Sequence, residues 1–322
     1  MVDAQRFSLT RSKFMNDTIR SRKRGNKLVP QPDDLQILRL LARDFLLLTD
    51  EQIYQFFPTR PPRALDRRLD KMVSSGYLYL RYPGPFAMAA PRPVYYVAPK
   101  TAEVITQVSA DQLRLRSQRA RDFSETALPH LIFANSIHIK FCTAARDYPD
   151  YQLDKWIPQY SSLWAHLTTS RFAIQPDGFA KLHKADRTFL YFIEVDRATY
   201  FGKHLDKRLS FYADYAFTSP DSPDDFKHPR FRVLFITEGE KRGTELLKRI
   251  AKYHPDLFWV TSWADFSSHS LFDFYWRTHA SGHAHALDEP CVLPAQLPDP
   301  PLPPGGIAFD PVSTPPQSPQ IP

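Results

Sequence analysis

The chain has few cysteines and no long apolar segment. Its two cysteines, Cys142 and Cys291, are far apart in 322 residues, so a disulfide framework is not indicated and a reducing compartment is expected. No run of 18 apolar residues occurs, and charged residues occupy the N-terminal stretch where a secretory signal would be apolar. We therefore expect a soluble, cytoplasmic protein without a membrane partner.

Several signatures of enzymes are also missing. The sequence has no glycine-rich loop of the Walker type and no G-x-S-x-G motif, so nucleotide hydrolysis and α/β-hydrolase chemistry are not supported. What it does have is an excess of positive charge, with 42 Lys and Arg against 35 Asp and Glu and a net charge of +7. Such a balance favours a polyanionic partner, with nucleic acid as the first candidate.

The length predicts two folded domains between two tails. Residues 1–30 carry eight Lys or Arg against two Asp, which predicts a mobile basic arm. Residues 288–322 include twelve prolines and predict a disordered or polyproline-like tail. Between them we expect a DNA-binding domain over 31–123, with a connector helix beginning near Thr101, and an α/β domain over 124–287.

The first domain has the pattern of a winged helix. Three amphipathic helices are predicted between residues 33 and 75, with Thr49 as an N-cap and Gly76 as a C-cap. Two β-type runs follow, "YLYLRY" (77–82) and "VYYVA" (94–98). Three helices followed by a two-stranded ribbon predict an N-terminal winged helix-turn-helix.

The third predicted helix is basic on the side opposite its leucines. Arginine and lysine side chains spaced three or four residues apart stack along one helix face, where they can meet DNA phosphates and guanine edges in the major groove. A solvated helix face, or a winged helix used for protein contacts, would explain the same pattern. The predicted DNA-binding residues are Arg60, Arg63, Arg67 and Lys71 of this helix and Arg92 of the wing.

The second domain shows the element order α-β-β-β-α-β-α-β, which predicts a mixed sheet covered on both faces. In its strand over 188–196, the period of two places Glu194 and Asp196 on the same face. Carboxylates so placed on an apolar strand repel each other unless water, a base or a cation meets them. Mg²⁺ or Mn²⁺ would suit them, because these ions bind oxygen ligands, and Asp177 on the neighbouring strand would be a third ligand.

A second interpretation needs no metal. The "PDG" at 176–178 is also a common turn sequence, so a β-turn would explain Asp177. Glu194 and Asp196 would then be strand-end residues that pair with Arg197 or Lys203.

Three further polar side chains receive structural interpretations. The spacing of five between His130 and Asn135 puts them on different helix faces, and Tyr212 is expected to pack within a helix.

The segments "LPHLIFANSIHI", "DKWIP", "QPDGFAKL", "FIEVDRAT" and "KRLSFYADY", together with the winged-helix pattern, resemble the replication-relaxation family of plasmid and mobile-element proteins over about residues 33–265. The "PD…E-x-D" pattern within them also resembles the PD-(D/E)xK nucleases. The resemblance implies a restriction-endonuclease-like second domain in which Asp177 and Glu194 are metal ligands. Asp196 stands where such nucleases have lysine, so Lys207 would supply the catalytic cation.

The resemblance also implies a function. Members of the family include mobilisation proteins that nick DNA as relaxases, so a DNA-binding protein of plasmid or mobile-element replication or mobilisation is expected, with metal-dependent nicking of DNA. The alternative is a non-catalytic replication initiator or transcriptional regulator whose nuclease fold has lost its chemistry. The expected partners are double-stranded DNA and other replication or mobilisation proteins.

Overall fold

The computed structural model describes residues 28–84, 92–166, 174–197, 202–218, 231–254, 256–273, 275–279 and 284–289. All of them belong to one compact unit. The basic arm up to residue 27 and the proline-rich tail after residue 289 lie outside the described residues. None of the described helices combines the length and the apolar composition that a membrane crossing requires.

The N-terminal part contains short helices around a small antiparallel sheet. In this sheet the strand Val94–Val97 lies between the strands Leu48–Thr49 and Leu78–Arg81 and pairs antiparallel with both. The predicted helices and both predicted strands are present. The elements are α1 (Pro32–Arg39, continued by a π-helical turn over Leu40–Asp44), β1 (Leu48–Thr49), α2 (Asp50–Tyr54), α3 (Pro62–Ser74), β2 (Leu78–Arg81) and β3 (Val94–Val97).

Local capping fixes where these helices begin and end. Thr49 and Gln52 form the predicted capping box at the start of α2, with backbone-to-side-chain distances of 3.2 and 3.1 Å. After α3, Gly76 has φ +77°, a conformation that glycine adopts at little cost. The backbone N–H of Tyr77 then donates to the carbonyl of Met72 at 2.9 Å, which closes a Schellman motif. Both predicted caps are confirmed.

The connector helix begins later than predicted. Thr101 is buried, and its hydroxyl donates to the carbonyl oxygen of Tyr77 at 2.6 Å, so this residue anchors a 3₁₀ turn. The helix α4 (Ala110–Arg121) starts where Ser109 and Gln112 form a capping box. The expected start near Thr101 is therefore wrong, because the prediction missed the N-terminal signal of Ser109.

The second part has the predicted order of helices and strands. Three short elements at the end of the part were not predicted. The elements are α5 (Leu128–Asp147), β4 (Tyr151–Pro158), β5 (Gly178–Lys184), β6 (Arg187–Asp196), α6 (Lys203–Thr218), β7 (Phe231–Thr237), α7 (Glu240–Ile250), β8 (Phe258–Ser262), α8 (Trp263–Ser268), β9 (Trp276–Arg277) and β10 (Ala284–His285).

These strands form a mixed sheet in the order β10-β9-β8-β7-β6-β5-β4. Strands β6, β7 and β8 run parallel, and their other neighbours pair antiparallel. On one face, Leu190 and Phe192 of β6 pack with residues of α6 and α7. On the other, Tyr191 and Ile193 pack with residues of α5. The predicted mixed sheet with both faces covered is confirmed.

Helix α5 is shared by the two parts. Its residue Ile139 belongs to the core of the N-terminal part, whereas Phe141 packs against the large sheet. The side-chain amide of Asn135 donates to the carbonyl of Leu47 at 2.8 Å, in agreement with its structural interpretation. One helix therefore contributes to both hydrophobic cores.

Gly178, the first residue of β5, packs against the indole ring of Trp156. A Cβ atom at this position would lie 2.8 Å from Cζ2 of Trp156, closer than carbon atoms can approach. The Trp156 ring stacks on the imidazole of His138 with a centroid distance of 4.3 Å, so the indole has little room to retreat. The glycine of the "PDG" sequence is thus explained by packing against Trp156.

We expect Gly178→Ala to lower the free energy of unfolding by about 1–3 kcal/mol, because the added methyl group overpacks the Trp156 contact. Urea unfolding monitored by circular dichroism measures the loss. Gly239→Ala is the control, since a Cβ there meets no atom within 4 Å, and it should cost less than about 1 kcal/mol. Equal losses for the two variants would contradict the packing explanation.

Candidate functional site: a buried acidic cluster and a basic helix face

Asp177, Glu194 and Asp196, called the acidic cluster below, lie together at one end of the large sheet. The antiparallel register of β5 and β6 pairs Gly178 with Ile193. One residue further along, this register brings Asp177 opposite Glu194. The tight turn of the hairpin is at its other end, around Ala185, so Asp177 is not part of that turn. Two of the three carboxylates are therefore cross-strand neighbours, as the metal hypothesis required.

Asp177 is almost fully buried, with 2% of its surface exposed. One carboxylate oxygen, Oδ1, lies 2.8 Å from Nε2 of His130. The other, Oδ2, accepts the backbone N–H of Val195 at 2.7 Å. Both oxygens of Asp177 are thus bonded to protein groups.

Glu194 and Asp196 are buried to the same degree. Oε2 of Glu194 lies 2.7 Å from Nε of Arg208, and the hydroxyl of Tyr212 donates to Oε1. Oδ2 of Asp196 accepts a hydrogen bond from Nε of Arg242 at 2.8 Å. Each carboxylate of the acidic cluster therefore has its own nitrogen partner, and the partners His130, Arg208 and Arg242 come from α5, α6 and α7.

Sequence analysis missed these partners. Lys207 lies on the exposed side of α6, and the side chain that reaches Glu194 is that of its neighbour Arg208. Tyr212, one helical turn beyond Arg208, is buried as predicted, but it also bonds the carboxylate. His130 takes part in the site although only a structural role was expected for it. The spacing of four between Arg208 and Tyr212 was a signal, because it places both on one helix face.

Burial and charge set the ionisation of the cluster. Burial raises the pKa of the Glu194 carboxyl to about 7, against the opposing effect of the Arg208 guanidinium. The 2.7 Å contact with Arg208 stabilises the ionised form near neutral pH. Burial lowers the pKa of His130, but the hydrogen bond and charge of Asp177, with the charge of Glu194, raise it above its usual value. His130 therefore gains a proton more readily than a free imidazole does.

A divalent cation does not fit these donors. Mg²⁺ binds carboxylate oxygens in a near-octahedral shell, but both oxygens of Asp177 and Oε1 of Glu194 already have protein hydrogen-bond donors, and Oε2 of Glu194 lies in an ion pair with Arg208. Within the ranges that the structure describes, no group of three or more His, Cys, Asp or Glu residues is arranged to hold a metal ion. The expected site for Mg²⁺ or Mn²⁺ at Asp177, Glu194 and Asp196 would form only if Arg208 and Arg242 withdrew.

The second candidate site is the outer face of α3. Leu65, Leu69 and Met72 are buried, which turns the opposite side of the helix to solvent. The exposed cationic side chains on that side that make no ion pair with any described residue are Arg63, Arg67 and Lys71, called the basic row below; the exposed carboxylate of Asp70 lies on the same side of the helix.

The other two predicted DNA-binding residues have acidic partners. Arg60 precedes α3, and its Nε lies 2.8 Å from Oδ2 of Asp33. Nη2 of Arg92 lies 2.7 Å from Oε1 of Glu51. Both arginines remain partly exposed, but a DNA phosphate would have to compete with a carboxylate for each of them.

We expect Asp177→Asn to lower the pKa of His130 below its usual value of 6.5, because burial then acts without the opposing carboxylate. NMR titration of the imidazole measures the change. In the wild type the raised pKa stabilises the fold below pH 6.5, and this contribution is lost as the pH rises through the folded-state pKa. Asp154→Asn, beside His183, should leave His130 unchanged; a similar shift there would contradict the assignment.

Comparison with known proteins identifies the family. Residues 38–230 match the replication-relaxation family. No curated protein matches the chain. A solved structure titled restriction endonuclease FokI bound to DNA matches 70% of this chain with 14% identity and a TM-score of 0.25, and the match spans 42% of that protein. Because the family match extends over more than half of its length, the chain belongs to the replication-relaxation family.

Proposed function

We propose that the chain is a DNA-binding protein of plasmid or mobile-element replication or mobilisation, and that its N-terminal part is a winged helix that places α3 in the major groove. Membership of the replication-relaxation family supports the cellular role. The observation that carries the DNA contact is the basic row, whose three cations are exposed and make no ion pair with any described residue.

The fold supports this use of α3. The helix follows α2 after a short turn, and β2 and β3 follow as the two strands of a wing, an order typical of winged helix-turn-helix domains. Arg68, on another side of α3, donates from Nε to Oδ1 of Asp34 at 2.9 Å. Since Asp34 is completely buried in α1, this contact fixes the rotation of α3 and leaves the basic row outward.

The geometry of the basic row suits a phosphate backbone. Its members are four residues apart, so they cover about 12 Å along the helix axis. Arginines at such positions can bond phosphate oxygens or guanine edges, and lysine adds a further positive charge. Arg60 and Arg92 would contribute less, because each has a carboxylate within 2.8 Å.

For the second part we propose the non-catalytic role, as in a replication initiator or regulator. Nicking through a metal ion at Asp177, Glu194 and Asp196, assisted by Lys207, would need carboxylate oxygens that now accept donors from His130 and from residues of α6 and α7. Incubation of supercoiled plasmid with the protein and Mg²⁺ or Mn²⁺ tests this choice. We expect no nicked product; nicking by the wild type that Glu194→Ala abolishes would favour the relaxase instead.

Replacing Arg63 and Arg67 together with Ala should weaken binding to a 30-bp duplex about tenfold or more. The slope of log affinity against log salt concentration should fall by about 2, because two phosphate contacts and their released counterions are lost. Fluorescence anisotropy across a salt series measures both quantities.

Lys241→Ala with Lys248→Ala is the matched control, since it removes two exposed charges from α7 and lowers the net charge equally. This control should change the affinity and its salt slope much less than the loss of the two arginines does. If both double variants weaken binding alike, only the net charge matters and the placement of α3 in the groove is wrong.

A further inference from the structure

We infer that Arg208 and Arg242 permanently occupy the role that a divalent cation plays in nuclease-like folds, so that the acidic cluster is a metal-free junction holding three helices on the sheet. This inference does not depend on the proposed contact between α3 and DNA. It concerns only which cations balance the charge of the buried carboxylates and which helices those ion pairs attach to the sheet.

The cations already present at the site balance most of the formal charge of the carboxylates. When all three are ionised, the carboxylates of the acidic cluster carry three negative charges in a buried site. Arg208 and Arg242 supply two positive charges within 2.8 Å of Glu194 and Asp196, and His130 supplies a third when it is protonated. A divalent ion added to this set would leave an excess of buried positive charge, which is unfavourable.

The two guanidinium groups are held in place by burial and by a further contact with the backbone. The side chains of Arg208 and Arg242 are only 12% and 14% exposed. Nη2 of Arg208 also donates to the backbone carbonyl of Gln175 at 2.6 Å, two residues before Asp177. Arginine is always protonated and holds its donors in a rigid plane, so withdrawing these guanidinium groups would leave buried carboxylates without their counter-cations.

The nitrogen partners of the three carboxylates are distributed over three helices. His130, Arg208 and Arg242 belong to three different helices, α5, α6 and α7, and each meets a carboxylate at the same end of the sheet. A metal site needs its ligands to converge on one point. Here each carboxylate instead joins one helix to the sheet, which is the arrangement of a structural junction.

Wild-type protein titrated with Mn²⁺ and monitored by electron paramagnetic resonance tests the inference without any substitution. We expect the signal of free Mn²⁺ to remain unchanged at millimolar concentrations, and the melting temperature to be equal in Mn²⁺ and in EDTA. Mn²⁺ binding by the wild type that Glu194→Gln abolishes would overturn the inference, as would a rise in melting temperature with Mn²⁺.

A double-mutant cycle tests the junction directly. Glu194→Gln leaves Arg208 buried without its counter-charge, and the melting temperature should fall by roughly 10 °C. Replacing Arg208 with Met in the same protein should recover at least half of that loss, because both charges are then gone. Glu245→Gln is the control: its carboxylate lies 3.8 Å from Arg242 and is half exposed, so the melting temperature should hardly change.

At a metal site, the change in stability caused by Glu194→Gln should have the opposite sign. Carboxylates that await a cation repel one another, so Glu194→Gln would then leave the metal-free protein as stable as the wild type or more stable. Such a result would overturn the inference. A double variant that is no more stable than Glu194→Gln would also overturn it, because Arg208 would then not be the counter-charge.

Discussion

Three carboxyl groups buried in one place are the main constraint on the second part of this protein. An ionised carboxylate removed from water is strongly destabilising unless a counter-charge and hydrogen bonds meet it. The sheet brings Asp177 and Glu194 together through the register of a hairpin, so the requirement cannot be avoided by moving either side chain. The chain meets it with nitrogen donors from three helices. The packing of those helices is therefore determined by charge as well as by apolar contacts.

On our proposal, carboxylates that form a metal motif in the sequence serve in the fold as anchors for helices. The carboxylates in "PD…E-x-D" lie at one end of the sheet, where Asp177 is hydrogen-bonded to His130, and Glu194 accepts a hydrogen bond from Tyr212 and pairs with Arg208. The sequence motif gives only the positions of the acidic residues in the chain. It says nothing about the helix residues that face them, and those residues decide the chemistry.

Much of the fold could be predicted from local signals. The capping box at Thr49, the glycine C-cap at position 76 and the alternation along β6 depend on neighbouring residues, and each is visible in the sequence. The short elements α8, β9 and β10 were not predicted, because a six-residue helix and two-residue strands are too short to show a periodic pattern. The start of α4 was misplaced because a capping serine eight residues later was overlooked.

The site was harder to predict because its partners are distant in sequence. His130 and Asp177 are 47 residues apart, and no pattern in a single sequence links them. The cation beside Glu194 is Arg208, the neighbour of Lys207, for which a catalytic role was predicted. Successive side chains on a helix point 100° apart. On this helix, that difference leaves Lys207 exposed to solvent and lets Arg208 reach the sheet.

Helix α5 has a consequence for how the protein can be divided. Ile139 belongs to the N-terminal core and Phe141 to the core of the large sheet, while His130 bonds the acidic cluster. A fragment that stopped at residue 123 would lose this helix and leave the apolar surface beneath it open to water. A chimera that transplants the basic row should accordingly take α5 along, and with it a binding surface for the large sheet.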